Sequence, residues 1–154
     1  MKKNPLKIKE ALYLQCINVV NDRFQTIQNT ISEIQVSLTS ETKSSAGDKH
    51  ETGRAMLQLE REKAGNQLAE IQKVKEILSK IDISKTLKVV GLGSIVYTSK
   101  ANYFIAISVG ELTVDGVRFY AISPSTPIGR LLMGKQFGDE VIFRERKFIV
   151  QEII

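Results

Sequence analysis

The sequence predicts an α+β protein: an antiparallel α-helical coiled-coil hairpin, then a small antiparallel β-sheet domain with one short helix. Three observations predict it. Residues 6–42 contain neither Gly nor Pro and repeat apolar residues at helical spacing. A second, weaker repeat runs through residues 49–80, after a turn rich in small residues. From about residue 87 the helical period gives way to short β-branched and aromatic runs.

In the first segment Ile17, Val20, Phe24, Ile27, Ile31, Ile34 and Leu38 follow one another at alternating steps of three and four, an a/d heptad seam. The second seam holds Leu57, Ala64, Leu68, Ile71 and Leu78, with Arg61 and Lys75 in its two remaining slots. If the chain folds back on itself, facing positions must share one sum. Leu38 with Leu57, Ile34 with Arg61, Ile31 with Ala64, and so on to Ile17 with Leu78, all add to 95. The mirror point falls between Gly47 and Asp48. Stripes matched about a single turn favour an intramolecular hairpin over a coiled coil between chains, and so a monomer. A helix of roughly 34 residues at about 1.5 Å per residue is on the order of 50 Å long. Such a rod has little internal volume for a substrate pocket; its use is reach. Arg61 and Lys75 either snorkel outward from the seam or form a basic face toward RNA.

The turn is "SSAGDKHETGR", residues 44–54. Asp48 suits the N-cap of the second helix with Glu51 at N3, close to a capping box, and both charges suit a helix N-terminus. Ser45 offers an overlapping cap. The same carboxylates, three residues apart, also project together at the far end of the rod. Magnesium takes about six oxygen ligands and often leaves several to water, phosphate or a second carboxylate. Two acids at a tip therefore suit a site whose remaining ligands belong to a partner. His50 reads either as a solvated histidine or as a phosphate contact titrating near neutral pH.

In the second half, "LKVVGLGSIVYTS", "NYFIAISVG", "ELTVDGVRFYAI", "DEVIF" and "KFIVQEI" read as strands, with Asp115-Gly116 as a two-residue hairpin turn. Within "STPIGRLLMGKQFGD", Ser125 or Thr126 can cap a short helix, Pro127 fits its first turn and Gly134 ends it. Met133 and Phe137 read as core residues. The predicted organisation is a hairpin domain over residues 1–80, a hinge over 79–86 and a sheet domain over 87–154. Gly91, Gly93 and Gly134 make no phosphate-binding loop, because no Gly-x-x-x-x-Gly-Lys-Ser/Thr run exists.

Composition narrows the function. The formal charge of +5 is spread thinly, with 13 basic against 10 acidic residues in 1–80 and 9 against 7 in 81–154. That pattern does not describe a dedicated nucleic-acid clamp. The single cysteine, Cys16, allows no internal disulfide and suits a reducing compartment. No apolar run approaches the roughly 18 residues a membrane helix needs. A cytoplasmic protein with no membrane partner is expected. The sheet half has no Trp and only dispersed Tyr and Phe, which argues against a prolyl isomerase pocket.

Two motifs carry a resemblance. "GDKHE" matches Gly-Asp-x-x-Glu at Gly47, Asp48 and Glu51, and "TPIGRLLMGKQFGD" matches a longer pattern at Pro127, Arg130, Leu132, Gly134, Lys135, Gly138 and Asp139. On these, and on the order of its halves, the sequence resembles the Gre transcript-cleavage factors of bacterial RNA polymerase over nearly its whole length. The resemblance implies an FKBP-like second domain and a hairpin that enters the polymerase secondary channel. There the tip would help hold a second Mg²⁺, bound only in the complex with RNA polymerase. The polymerase would then cleave its own backtracked RNA beside the nascent RNA 3′ end. Asp48 is implied as the principal metal ligand and Glu51 as a ligand or water-positioning base, with Gly47, Lys49, His50, Thr52 and Arg54 as tip support. The chain would then be a cofactor for another enzyme and not an enzyme itself. Pro127, Ile128, Gly129 and Arg130 are the expected polymerase-binding surface. The tip departs from the family pattern at Thr52, Arg54, Ala55 and Met56, which keeps open a channel-binding regulator or inhibitor without cleavage activity.

Overall fold

The computed structural model describes residues 4–43 and 47–154; of residues 41–43 and 47–50 only the backbone is described. Helix α1 spans Pro5–Lys43 and helix α2 spans Gly47–Ser79. Six strands follow: β1 (Ile95–Thr98), β2 (Asn102–Ile105), β3 (Gly110–Val114), β4 (Val117–Ile122), β5 (Glu140–Phe143) and β6 (Arg146–Ile153), with helix α3 (Pro127–Leu132) between β4 and β5. The architecture is α+β, as predicted. Among the described residues no helix is long and apolar enough to cross a membrane.

The chain forms two compact units. One comprises Val20–Lys75; the other comprises Met1–Val19 together with Glu76–Ile154. In the first unit Ile27, Ile34 and Ala64 are buried, and Ile31, Leu38, Leu57, Leu68 and Ile71 pack against them. All eight are predicted seam positions, so burial of one apolar stripe from each helix holds the pair together. Lys75 is half-buried and its ammonium lies 4.1 Å from the centroid of the Phe24 ring, a cation–π contact at the seam.

In the other unit the sheet order is β3-β4-β2-β1-β6-β5. The expectation of a purely antiparallel sheet is corrected at one pair, because β2 and β4 run parallel. The cause is topological. The β3–β4 hairpin enters the sheet by its second strand, leaving β3 at the edge. Alternation of apolar and polar residues fixes which face a side chain takes and says nothing of this order. One core gathers Val96, Ile105, Val141, Phe148 and Val150 of the sheet under Leu132 of α3 and Val90.

The segment expected as a hinge is anchored within this second unit. Ile81 is buried, and Asp82 Oδ1 accepts a hydrogen bond from the Ser84 amide at 3.0 Å. Lys9 is 1% exposed and its Nζ donates to the Lys85 carbonyl at 2.7 Å. Tyr13 donates to the Leu78 carbonyl at 2.9 Å, and Gln15 to the Thr113 carbonyl at 3.0 Å. Cys16 is buried, which pushes its thiol up to about 11 and leaves it chemically quiet.

Two further core expectations are corrected. Phe137 is 78% exposed, and Met133 is exposed as well. Phe137 occupies the corner of a tight turn in which the Asp139 amide donates to the Gln136 carbonyl at 3.1 Å and Asp139 Oδ2 accepts from the Gln136 amide at 2.7 Å. The turn fixes the corner residue outward whatever its hydrophobicity.

Two two-residue turns close hairpins in the sheet. Between β3 and β4, Asp115 and Gly116 take φ of 52° and 78°; between β5 and β6, Arg144 and Glu145 take 51° and 67°. Both turns need two left-handed residues. The first is the one the sequence predicts. The second places two ordinary L-residues where each is strained by roughly 1–2 kcal/mol.

Candidate functional site

The tip is built by helix ends. α1 stops at Lys43 and α2 starts at Gly47, so residues 44–46 join two helices that pack along a shared seam. Asp48 lies within α2 (Gly47–Ser79). Ser45 lies outside the described residues, as do the side chains of Asp48, Lys49 and His50, and with them the capping-box reading.

Glu51 is exposed on the same first turns of α2. Residues three apart in a helix share a face, so the backbone sets Asp48 and Glu51 on one side of α2. The free amides and dipole at this end favour negative charge there. Thr52 is exposed and Arg54 is half-buried, three residues beyond Glu51. Ala55 and Met56 are exposed.

Among the described residues no group of three or more His, Cys, Asp or Glu side chains is placed to hold a metal ion. Carboxylates are hard oxygen ligands of the kind Mg²⁺ takes, and two of them fill only part of its shell.

The second motif is mostly turn chemistry. Thr126 caps α3, its Oγ1 accepting from the Gly129 amide at 3.1 Å, and Pro127 follows in the first turn. Leu132 is fully buried in the core. Gly134 (φ 81°) and Gly138 (φ 85°) take left-handed conformations. The Gly134 amide donates to the Val90 carbonyl at 2.9 Å and the Gly138 amide to the Val150 carbonyl at 2.8 Å. Of the four expected polymerase contacts, Pro127 and Arg130 are exposed, Ile128 packs against the core and Gly129 is buried. A side chain at Gly129 would collide with the Ser123 carbonyl oxygen and stand 2.7 Å from Thr126 Oγ1.

Sequence reasoning missed a cleft of about 790 Å³ in the sheet-bearing unit, lined in part by Ile8, Tyr97, Phe119 and Glu152. Burial, and then the charge of Glu152, raise the Tyr97 phenol above its ordinary value. Its lining comes from α1 and several strands, so no local motif announces it.

Fold and tip together define an α+β protein whose paired helices end in two acids carried on one helix face. No protein-family model matches the chain, and no curated protein matches it. Among solved structures the chain is similar to the transcription factor Gfh1, at 19% sequence identity over 88% of this chain and 91% of that chain, with a TM-score of 0.34.

Proposed function

We propose that this protein is a Gre-like transcription factor that acts on bacterial RNA polymerase by inserting its helical tip into the secondary channel. The observation that supports this reading is the placement of Asp48 and Glu51 in the first turns of α2, immediately after the short link from α1 and within the Gly47-Asp48-x-x-Glu51 motif.

On this reading Asp48 contributes a carboxylate oxygen to a Mg²⁺ shared with the polymerase, and Glu51 contributes a second or holds a water by accepting its proton. The ion, when bound, supplies charge stabilisation at the reacting phosphate and acidifies a bound water. The hydrolytic activity belongs to the polymerase; the chain supplies two positioned carboxylates and excludes bulk water from the channel.

The test is cleavage of backtracked RNA in stalled complexes made with purified bacterial polymerase. Asp48→Asn and Glu51→Gln each lower stimulated cleavage by about 100-fold while leaving binding unchanged. Wild-type cleavage by the double variant sinks the assignment.

A second reading, a channel-binding inhibitor, is favoured by one observation. Arg54 follows Glu51 by three residues on the same helix, setting a cation on the face that would hold Mg²⁺. If that cation disables the site, wild type binds and inhibits cleavage, and Arg54→Ala restores stimulation.

A further inference from the structure

The two paired helices differ in the chemistry of their outward surfaces. Residues 24–40 of α1 hold one charged residue, Glu33, and no Lys or Arg. The stretch of α2 that mirrors them about the turn, residues 55–71, holds five: Glu60, Arg61, Glu62, Lys63 and Glu70. The α1 stretch does not lack solvent-facing positions. Gln25, Asn29, Ser32 and Val36 are all exposed, Val36 by 67%.

Spacing joins those four into one line. They stand four, three and four residues apart, the spacing of a helix stripe. Each precedes a seam residue, Ile27, Ile31, Ile34 or Leu38, by two positions. Two positions are about 200° around an α-helix, so the line runs along the back of α1, away from α2. Gln25 Nε2 donates to Asn29 Oδ1 at 3.0 Å along it. At about 1.5 Å per residue the line extends from about 10 Å to about 27 Å behind the end of α1 at Lys43.

A face left to water has no reason to avoid charge. Lys, Arg and Glu are good helix formers, whereas Ser, Thr and Asn are poorer because their side chains compete for backbone groups. Residues 24–40 contain seven of the poorer kind. Thr30 Oγ1 donates to the Thr26 carbonyl and Thr39 Oγ1 to the Gln35 carbonyl, each at 3.0 Å. The stretch therefore forgoes helix propensity and charge alike. Surfaces that lose water on association are depleted of charge at their centres, because an unpaired buried charge of either sign is costly. We infer that the back of α1 from Gln25 to Val36 is a contact face for an uncharged, hydrogen-bonding protein wall of the polymerase, while the outer face of α2 stays in water. The inference rests on the proposed function, which takes the tip and the helices behind it into a channel. The absence of Lys and Arg selects protein over a phosphate backbone.

The test uses the full-length chain, fluorescently labelled, titrated with purified core polymerase, with melting and sedimentation followed in parallel. Ser32→Lys with Val36→Lys, and Ser32→Glu with Val36→Glu, each lower the affinity about tenfold. Sensitivity to both signs separates loss of water from charge complementarity. Both pairs lie on the side away from the seam, so Tm stays within about 2 °C of wild type. Lys63, the exposed counterpart of Ser32 on α2, supplies the control: Lys63→Glu binds as wild type does. If wild type binds and both charged pairs bind equally well, the inference fails while the polymerase reading stands. If wild type does not bind, both fall. If the Lys pair binds more tightly and the Glu pair more weakly, the face meets phosphate and the inference is overturned. Losses for Lys63→Glu equal to those of the α1 pairs overturn the assignment to α1. If wild type sediments as a dimer that the charged pairs dissolve while polymerase affinity is kept, the occupant is a second copy of the chain and the inference is overturned.

Discussion

The two units bury their apolar residues to different depths. In the sheet-bearing unit Phe104 and Leu132 are wholly shielded from solvent, whereas the buried isoleucines of the paired helices, Ile27 and Ile34, each keep 7% exposure. A sheet covered by a helix encloses a side chain from all directions, while two helices share a single seam whose flanks stay wet. The helical unit therefore trades enclosure for length.

Substitutions sharpen that contrast. Leu132→Ala should cost about 4 kcal/mol, because an enclosed site cannot collapse around the void. Gly129→Ala follows at about 3 kcal/mol, since its methyl would collide with the fixed Ser123 carbonyl oxygen and stand 2.7 Å from the capping Thr126 Oγ1. Ile27→Ala in the seam should cost about 2 kcal/mol, at the low end for a buried truncation, because the flanking groove can close in. Chemical denaturation of each variant gives these values. Equal losses for Leu132→Ala and Ile27→Ala would erase the distinction between the units. Lys75→Ala should cost least, about 0.5–1 kcal/mol, for the lost contact with Phe24.

Lys9 supplies a test by pH. Burial lowers its ammonium below the ordinary 10.5, opposed by the charge of Asp82. The folded chain sheds this proton before the unfolded chain does, so between the depressed value and 10.5 the unfolded state binds more protons. Stability relative to Lys9→Met must therefore rise as the pH climbs toward 10.5. A constant difference across that range would place the ammonium in solvent and undo its assigned burial.

The second motif shows how a sequence pattern divides between fold and function. Pro127, Leu132, Gly134, Gly138 and Asp139 each have a structural task in a cap, a core or a turn. Arg130, which is exposed, and Lys135, which is half-buried, are the two matched positions outside those five. Gly129, expected at that surface, has no side chain to offer and no room for one.

The helical seams, the mirrored hairpin, the Asp115-Gly116 turn, the Thr126 cap and the candidate acids were all legible in the sequence, because each depends on residues close along the chain or on a simple period. Tertiary structure alone decided the parallel β2–β4 pair, the burial of Lys9, the exposure of Phe137 and the strained Arg144-Glu145 turn. Those outcomes depend on which distant groups arrive at the same place, and pairing energies between distant segments leave no periodic trace. Local chemistry wrote the elements; long-range packing chose their neighbours.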